Sequence, residues 1–340
     1  MTAVIKGLSS TDYRRNGLHD LARDWPETNC YVDLWIEMLA SAGMNPVAGL
    51  SFTVMQDFEG DQFTFFKFPL ADLEELYGTV VQELAIYDDL AGHCEEQIER
   101  GRMPLVEVDG FFLPDTRGVS YRAEHTKTTI AINSIDAAAR SLDYFHNAGF
   151  FTLQGEDFDG LFRRLPEQQN VADALFPYVE FVKFSAAPVK GTPLERAHRL
   201  MRRHVRSIPD ANPIRAYHRA FKDHAARLAM RPPAFFHKYT FNTLRQLGAN
   251  HELLSSHLAW LDAAGLAGLD RAIEMTRVIS QTAKSMLFQL ARSAARKTFA
   301  GYDAPFEKMA EAYDLAMADL RFCFGEGSVV KSQKRVLAAL

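Results

Sequence analysis

Apolar and polar positions follow two different rhythms along the chain. In the first half, short helical stretches alternate with strand-like runs. Residues 29–42 carry apolar side chains on nearly all sides, which predicts a buried helix. Leu50 to Met55 and Gln62 to Phe68 read as strands around a turn at Asp57-Phe58-Glu59-Gly60-Asp61. Ala71 to Tyr77 predicts a short helix, and Cys94 to Arg100 another, ended by Gly101. β-Branched and aromatic residues then mark strands at Leu105 to Leu113, Thr126 to Ile132 and Leu142 to His146, followed by a helix from Asp157 to Leu161. In the second half the spacing is helical throughout, over 194–207, 213–229, 233–247, 250–263, 267–297 and 304–322, with Pro and Gly as punctuation.

The 340 residues exceed one comfortable core, and the change of rhythm predicts two domains, 1–187 and 188–340, joined near Ser185 to Pro193. The expected class is α+β followed by an all-helical domain. Apolar content of 47% and charged content of 24% suit a soluble globular protein, and a net charge of −5 gives no whole-chain pull toward nucleic acid or membrane. No apolar run reaches bilayer length and the first residues lack a signal-peptide core, so a cytoplasmic location is expected. Charge is uneven, however. Residues 183–245 hold fourteen Lys+Arg against Glu195, Asp210 and Asp223. Arg199, Arg202, Arg203 and Arg206 fall on one helical face, which suits either a solvated helix or the docking of an acidic partner.

Chemistry centres on the cysteines. Cys30, Cys94 and Cys323 are too few and too widely spaced for a disulfide framework or a structural zinc site. Cys94 lies among acids and Cys323 between two phenylalanines, which suits packing. Cys30 follows Asn29 at a helix start, where the macrodipole and unpaired N–H groups favour a thiolate. A nucleophilic cysteine also needs a base and a group to orient that base. His125 opens a predicted strand, and a hairpin loop centred near residue 136 or 137 sets Asn147 opposite it. Asp143 would require a tighter turn. Asn147 also fits a plain turn residue before Ala148-Gly149. No G-x-G-x-x-G, P-loop or H-E-x-x-H occurs, so redox, ATP-dependent and metal chemistry gain no positive support.

The run Gly101-Arg102-Met103-Pro104-Leu105-Val106-Glu107-Val108-Asp109-Gly110-Phe111-Phe112-Leu113-Pro114-Asp115-Thr116, with Tyr121 and His125 after it, resembles the butirosin biosynthesis protein H-like family of C39-peptidase-like, papain-fold cysteine acyltransferases. Asp57 to Gln62 and Tyr144 to Gly149 also resemble an uncharacterised bacterial family of this length. The first resemblance implies a papain-like (C39-like) domain in which Cys30 is the nucleophile, His125 the base and Asn147 the orienting residue. It further implies that an acyl or aminoacyl group moves from the phosphopantetheine thioester of an acidic carrier protein, through acyl-Cys30, to an amine, with no bound cofactor. Gln62, Asp115, Tyr121 and Arg122 are the expected substrate contacts. One departure is Asp24, where papain-like enzymes usually carry an oxyanion-hole glutamine; Gln62, Asn29 or Thr28 are substitutes for that donor. The rival expectations are a thioesterase or peptidase of the same fold, and a non-catalytic adaptor for a carrier protein.

Overall fold

The computed structural model describes residues 2–169, 177–185 and 189–325. In chain order the elements are α1 (Cys30–Ser41), α2 (Leu70–Tyr77), β1 (Val80–Glu83), α3 (Leu90–Glu99), β2 (Arg102–Asp109), β3 (Lys127–Asp136), β4 (Ser141–His146), β5 (Gly149–Gln154), α4 (Glu156–Leu161), α5 (Pro166–Gln169) and β6 (Val179–Lys183). Among the described residues six helices follow: α6 (Pro193–Val205), α7 (Pro213–Met230), α8 (Pro233–Thr240), α9 (Gln246–Ala263), α10 (Asp270–Arg296) and α11 (Asp303–Phe324), with a π-helical turn at Phe241–Arg245. The protein is thus mixed α+β with a helical C-terminal region.

Two compact units make up the chain, and neither is continuous. The first comprises residues 1–20, 29–45 and 73–189; the second comprises 21–28, 46–72 and 190–340. Residues 46–72 therefore group with the C-terminal helices. The sequence-based boundary at 187/188 lies outside the described residues.

The first unit is built on an antiparallel sheet of six strands in the order β1-β6-β2-β3-β4-β5. One face is closed by α3 and α4. There Leu90, Cys94 and Ile98 pack with Val106, Ile130, Ile132, Tyr144, Phe158 and Phe181 in a single apolar cluster. Side chains alternate along a strand, and Ala131 and Phe145, of opposite parity, are buried as well, so both faces are covered. α1 packs on β3 and β4. Asn29 starts it by accepting the Val32 N–H at 3.0 Å, and residues Tyr31 through Leu39 are all buried.

Two predicted strands are absent. Leu50 to Met55 lies inside a 3₁₀ helix, Pro46–Met55, and Gln62 to Phe68 contributes only an isolated bridge between Phe58 and Phe63. The first run is apolar on every side, so its period does not distinguish a buried strand from a buried helix, and Pro46 sets a helical φ at its start. The strand expected at Leu105 to Leu113 stops at Asp109, whose side chain accepts the Phe111 N–H at 3.0 Å and opens a 3₁₀ turn. β1, β5 and β6 were not foreseen.

In the second unit α9 packs on α10 and on Pro46–Met55, and α10 packs on α11. Gly248 of α9 lies under the Trp25 indole: an added Cβ would meet Trp25 Cζ2 at 2.5 Å. Helix propensity alone favours alanine there by about 1 kcal/mol, but overpacking costs about 1–3 kcal/mol. Gly248→Ala is therefore expected to lower the urea midpoint, the opposite sign to the propensity effect.

Candidate active site

The geometry around Cys30 is set by β3 and β4. The Cys30 sulfur, half-buried at the first turn of α1, lies beside the Thr128 side chain and the Thr129 backbone, whose polar groups act on the thiol. The Thr128 hydroxyl lies 2.8 Å from His146 Nε2. On the other side of that ring, Nδ1 lies 2.5 Å from Asp115 Oδ2, and the Tyr144 hydroxyl donates to Asp115 Oδ1 at 2.5 Å. Tyr144 and His146 are two apart on β4 and so reach the same carboxylate from one face. The His146 and Asp115 side chains are only 2% and 4% exposed, so neither is shared with bulk water.

Donor and acceptor roles close consistently along this line. With Asp115 as a carboxylate, it can only accept, so His146 carries its proton on Nδ1 and presents the Nε2 lone pair to Thr128. The Thr128 hydroxyl has one proton, which it can turn to the sulfur, favouring the thiolate, or give to Nε2, leaving a lone pair to receive the thiol proton. The sequence Cys30–Thr128–His146–Asp115 is thus a line along which a thiol proton can move inward.

Burial holds the Cys30 thiol above its ordinary value. The Thr128 and Thr129 hydrogen bonds and the positive Lys127 oppose that rise, and the nearby Asp33 adds to it. The helix-start advantage expected from sequence is outweighed, because desolvation penalises the thiolate. Cys94, wholly inside the sheet core, is pushed up further by burial. Cys323 donates to the Gly268 carbonyl at 3.6 Å and is half-exposed rather than a core residue.

His125 and Asn147 are placed differently from the expected triad. His125 precedes β3, with its Nδ1 at 2.5 Å from Asp109 Oδ2, its ring stacked on Phe111 at 4.5 Å, and its side chain 72% exposed. Asn147 occupies the two-residue turn between β4 and β5, at φ 47°. The reason is register. The β3–β4 hairpin turns at residues 137–140, and the pairing shifts between Ile132 and Ser134. Asn133, at that shift, is held by Val4 and Ile5. Asp143 faces Ser134 and accepts its hydroxyl at 2.8 Å.

The expected substrate contacts also have structural partners. Asp115 uses both oxygens on Tyr144 and His146. Tyr121 donates to Asp157 at 3.0 Å, and Arg122 pairs with Asp157 and Glu156 while lying over the rings of Phe111, Phe112 and Tyr121. Gln62 is exposed in the second unit, its carbonyl accepting the Glu59 N–H at 2.8 Å; Asp24 also belongs to that unit. On α6, Arg199, Arg203 and Arg206 are exposed and Arg202 is half-buried; Arg203 pairs with Asp72. No helix among the described residues is long and apolar enough to cross a membrane.

Sequence reasoning missed His146 and Thr128. The available signal was parity: His146 stands two residues after Tyr144 at the end of a predicted strand, so a buried tyrosine hydroxyl and an imidazole share one face.

Comparison with known families gives two adjoining matches, the DUF1839 N-terminal domain over residues 14–184 and the DUF1839 C-terminal domain over residues 191–321. The chain belongs to the DUF1839 family. No curated protein matches it.

Proposed function

We propose that this DUF1839 protein is a cysteine-dependent acyltransferase, in which Cys30 is the nucleophile and His146 the base, reached through Thr128 and oriented by Asp115. The observation that carries the reading is the Thr128–His146–Asp115 hydrogen-bond line, which ends beside the Cys30 sulfur. A cysteine at a helix start laid on an antiparallel sheet also supports the papain-like (C39-like) assignment, although the base stands at the end of one strand rather than before the preceding one.

The reaction balances on these residues. As Cys30 sulfur bonds the thioester carbon, its proton passes to Thr128 and the Thr128 proton passes to His146 Nε2. The carbon–sulfur bond of the donor breaks, and the leaving thiolate takes a proton back along the same line. An amine then attacks acyl-Cys30; an amide forms and the thiol is restored. The imidazolium formed in this step is stabilised by the Asp115 carboxylate on its other side. A thiol held neutral at rest makes proton transfer concerted with attack, the situation in which a general base contributes most. An acidic carrier protein carrying a phosphopantetheine thioester suits the donor role, and the exposed guanidinium groups of Arg199, Arg203 and Arg206 suit its docking.

The test is direct. Full-length protein is incubated with S-acyl-pantetheine and digested, and the peptides are weighed. Acyl mass is expected on the Cys30 peptide, absent in Cys30→Ser, and discharged to an amide when a primary amine is added. Discharge to free acid whether or not amine is present would make the protein a hydrolase of the same chemistry. An unmodified Cys30 peptide with no turnover would overturn the reading in favour of a carrier-protein adaptor.

A further inference from the structure

The helical unit holds a hollow lined by none of the residues used above. α10 ends at Arg296, and Lys297 turns the chain in the left-handed region at φ 54°. Gly301, at φ 80°, turns it again into α11. The returning loop is tied down by Thr298 N–H to the Ser293 carbonyl at 3.1 Å and by the Tyr302 hydroxyl to Ser293 Oγ at 2.7 Å. Between this loop and α7 lies a half-open hollow of about 460 Å³. That volume falls within the range of small-molecule sites.

Its chemistry is two-sided. Phe221, Ala225, Ala226, Ala229 and Tyr302 contribute the apolar lining. Phe221 packs against Tyr302 at 5.0 Å and against Phe306 at 5.1 Å, so these walls are fixed by the core behind them. The alanines leave open the space that longer side chains on α7 would occupy. Charge is confined to the rim. Lys222 stands there with no ion-pair partner among the described residues. Among the described lining residues the one carboxylate is the 94% exposed Asp303, whose Oδ1 lies 2.8 Å from His218 Nε2, and the His218 ring is itself stacked on Phe306 at 4.6 Å.

We infer that this hollow binds a small amphipathic anion: an aromatic or acyl body against the alanine and aromatic floor, with a carboxylate or sulfonate beside Lys222. The unpaired ammonium is the feature that selects the charge. A cationic or neutral head would leave Lys222 unpartnered, and a cation would face it directly.

Two fluorescent probes of matched shape test this. One is 8-anilinonaphthalene-1-sulfonate, and the other is N-phenyl-1-naphthylamine, which lacks the sulfonate. Full-length wild-type protein is expected to bind the sulfonate at one saturable site. Lys222→Glu should weaken the sulfonate by about tenfold or more and leave the neutral probe unchanged. Ala229→Phe, which fills the hollow from a half-buried position, should weaken both. Each variant is compared at an unchanged melting temperature, and Ala229→Ser serves if Ala229→Phe melts early; it should leave both probes bound. Absence of saturable binding, or sulfonate binding indifferent to Lys222→Glu, would overturn the inference.

Discussion

His19→Ala is expected to cost about 3–5 kcal/mol of stability. His19 is fully buried and bridges two buried carboxylates on α1. Its Nδ1 bonds Glu37 Oε1, and its Nε2 lies 3.2 Å from Asp33 Oδ1. Glu37 is held further by the Tyr13 hydroxyl at 2.5 Å and the Asn16 N–H at 2.9 Å. Removing the imidazole leaves two carboxylates, spaced one helical turn apart, facing each other without a cation. Replacing His19, Asp33 and Glu37 together by apolar residues of similar volume should cost less than the single change, because no unpaired charge remains. Urea unfolding of the single and triple variants measures this. A loss below about 1 kcal/mol in His19→Ala would show that the cluster is not ionic.

The same cluster makes stability pH-dependent. Burial pulls the His19 pKa down, but the bonds to Asp33 and Glu37 and their charges outweigh it and bring it up to about 9. The folded state therefore holds this proton more tightly than the unfolded chain, whose histidine titrates near 6.5. The resulting stabilisation is complete below pH 6.5 and is lost as pH rises through about 9; it amounts to about 3 kcal/mol. The wild-type urea midpoint should fall between pH 6.5 and pH 9.5, and the fall should flatten in His19→Ala. The cluster also bears on the candidate site. Asp33 and Glu37 lie on the helix whose first residue is Cys30, and Asp33 adds to the rise of the Cys30 thiol.

Local signals were legible in the sequence; pairings were not. Asn29, Pro193, Pro213 and Pro233 each stand at or beside a helix start, as capping and fixed φ require. β3 and β4 follow from runs of β-branched and aromatic residues. Their register does not, because it depends on Asn133 being held by residues 4 and 5, a contact across more than a hundred positions. That shift and the turn at 137–140 moved the partners of β4 and took Asn147 out of the expected pairing. Likewise, the apolar run at 46–55 announces burial without saying in which unit. Cys30 was found because a helix start is a local feature. His146 was missed because its role depends on Asp115 and Thr128, which only the folded sheet and its loop bring to it.

In the acylation assay, His146→Gln is expected to slow acyl-Cys30 formation at pH 7 by about a hundredfold or more, while His125→Ala changes it by less than about threefold. The difference follows from connectivity. His146 receives the Thr128 hydroxyl that lies beside the sulfur, whereas His125 turns its Nδ1 to Asp109 and exposes most of its ring. Thr128 separates a relay from mere packing. Thr128→Val keeps the shape but removes the proton path, and should be as slow as His146→Gln; Thr128→Ser keeps the hydroxyl and should recover most of the rate. A structural role for Thr128 predicts the reverse order, since valine preserves the methyl contacts and the β-branch that serine loses. Melting temperatures of the same variants show whether any rate loss is unfolding. If His125→Ala abolishes acylation and His146→Gln does not, the base is His125 with Asp109 as its orienting carboxylate, and the Thr128–His146–Asp115 line serves only to hold β3, β4 and the loop after β2 together.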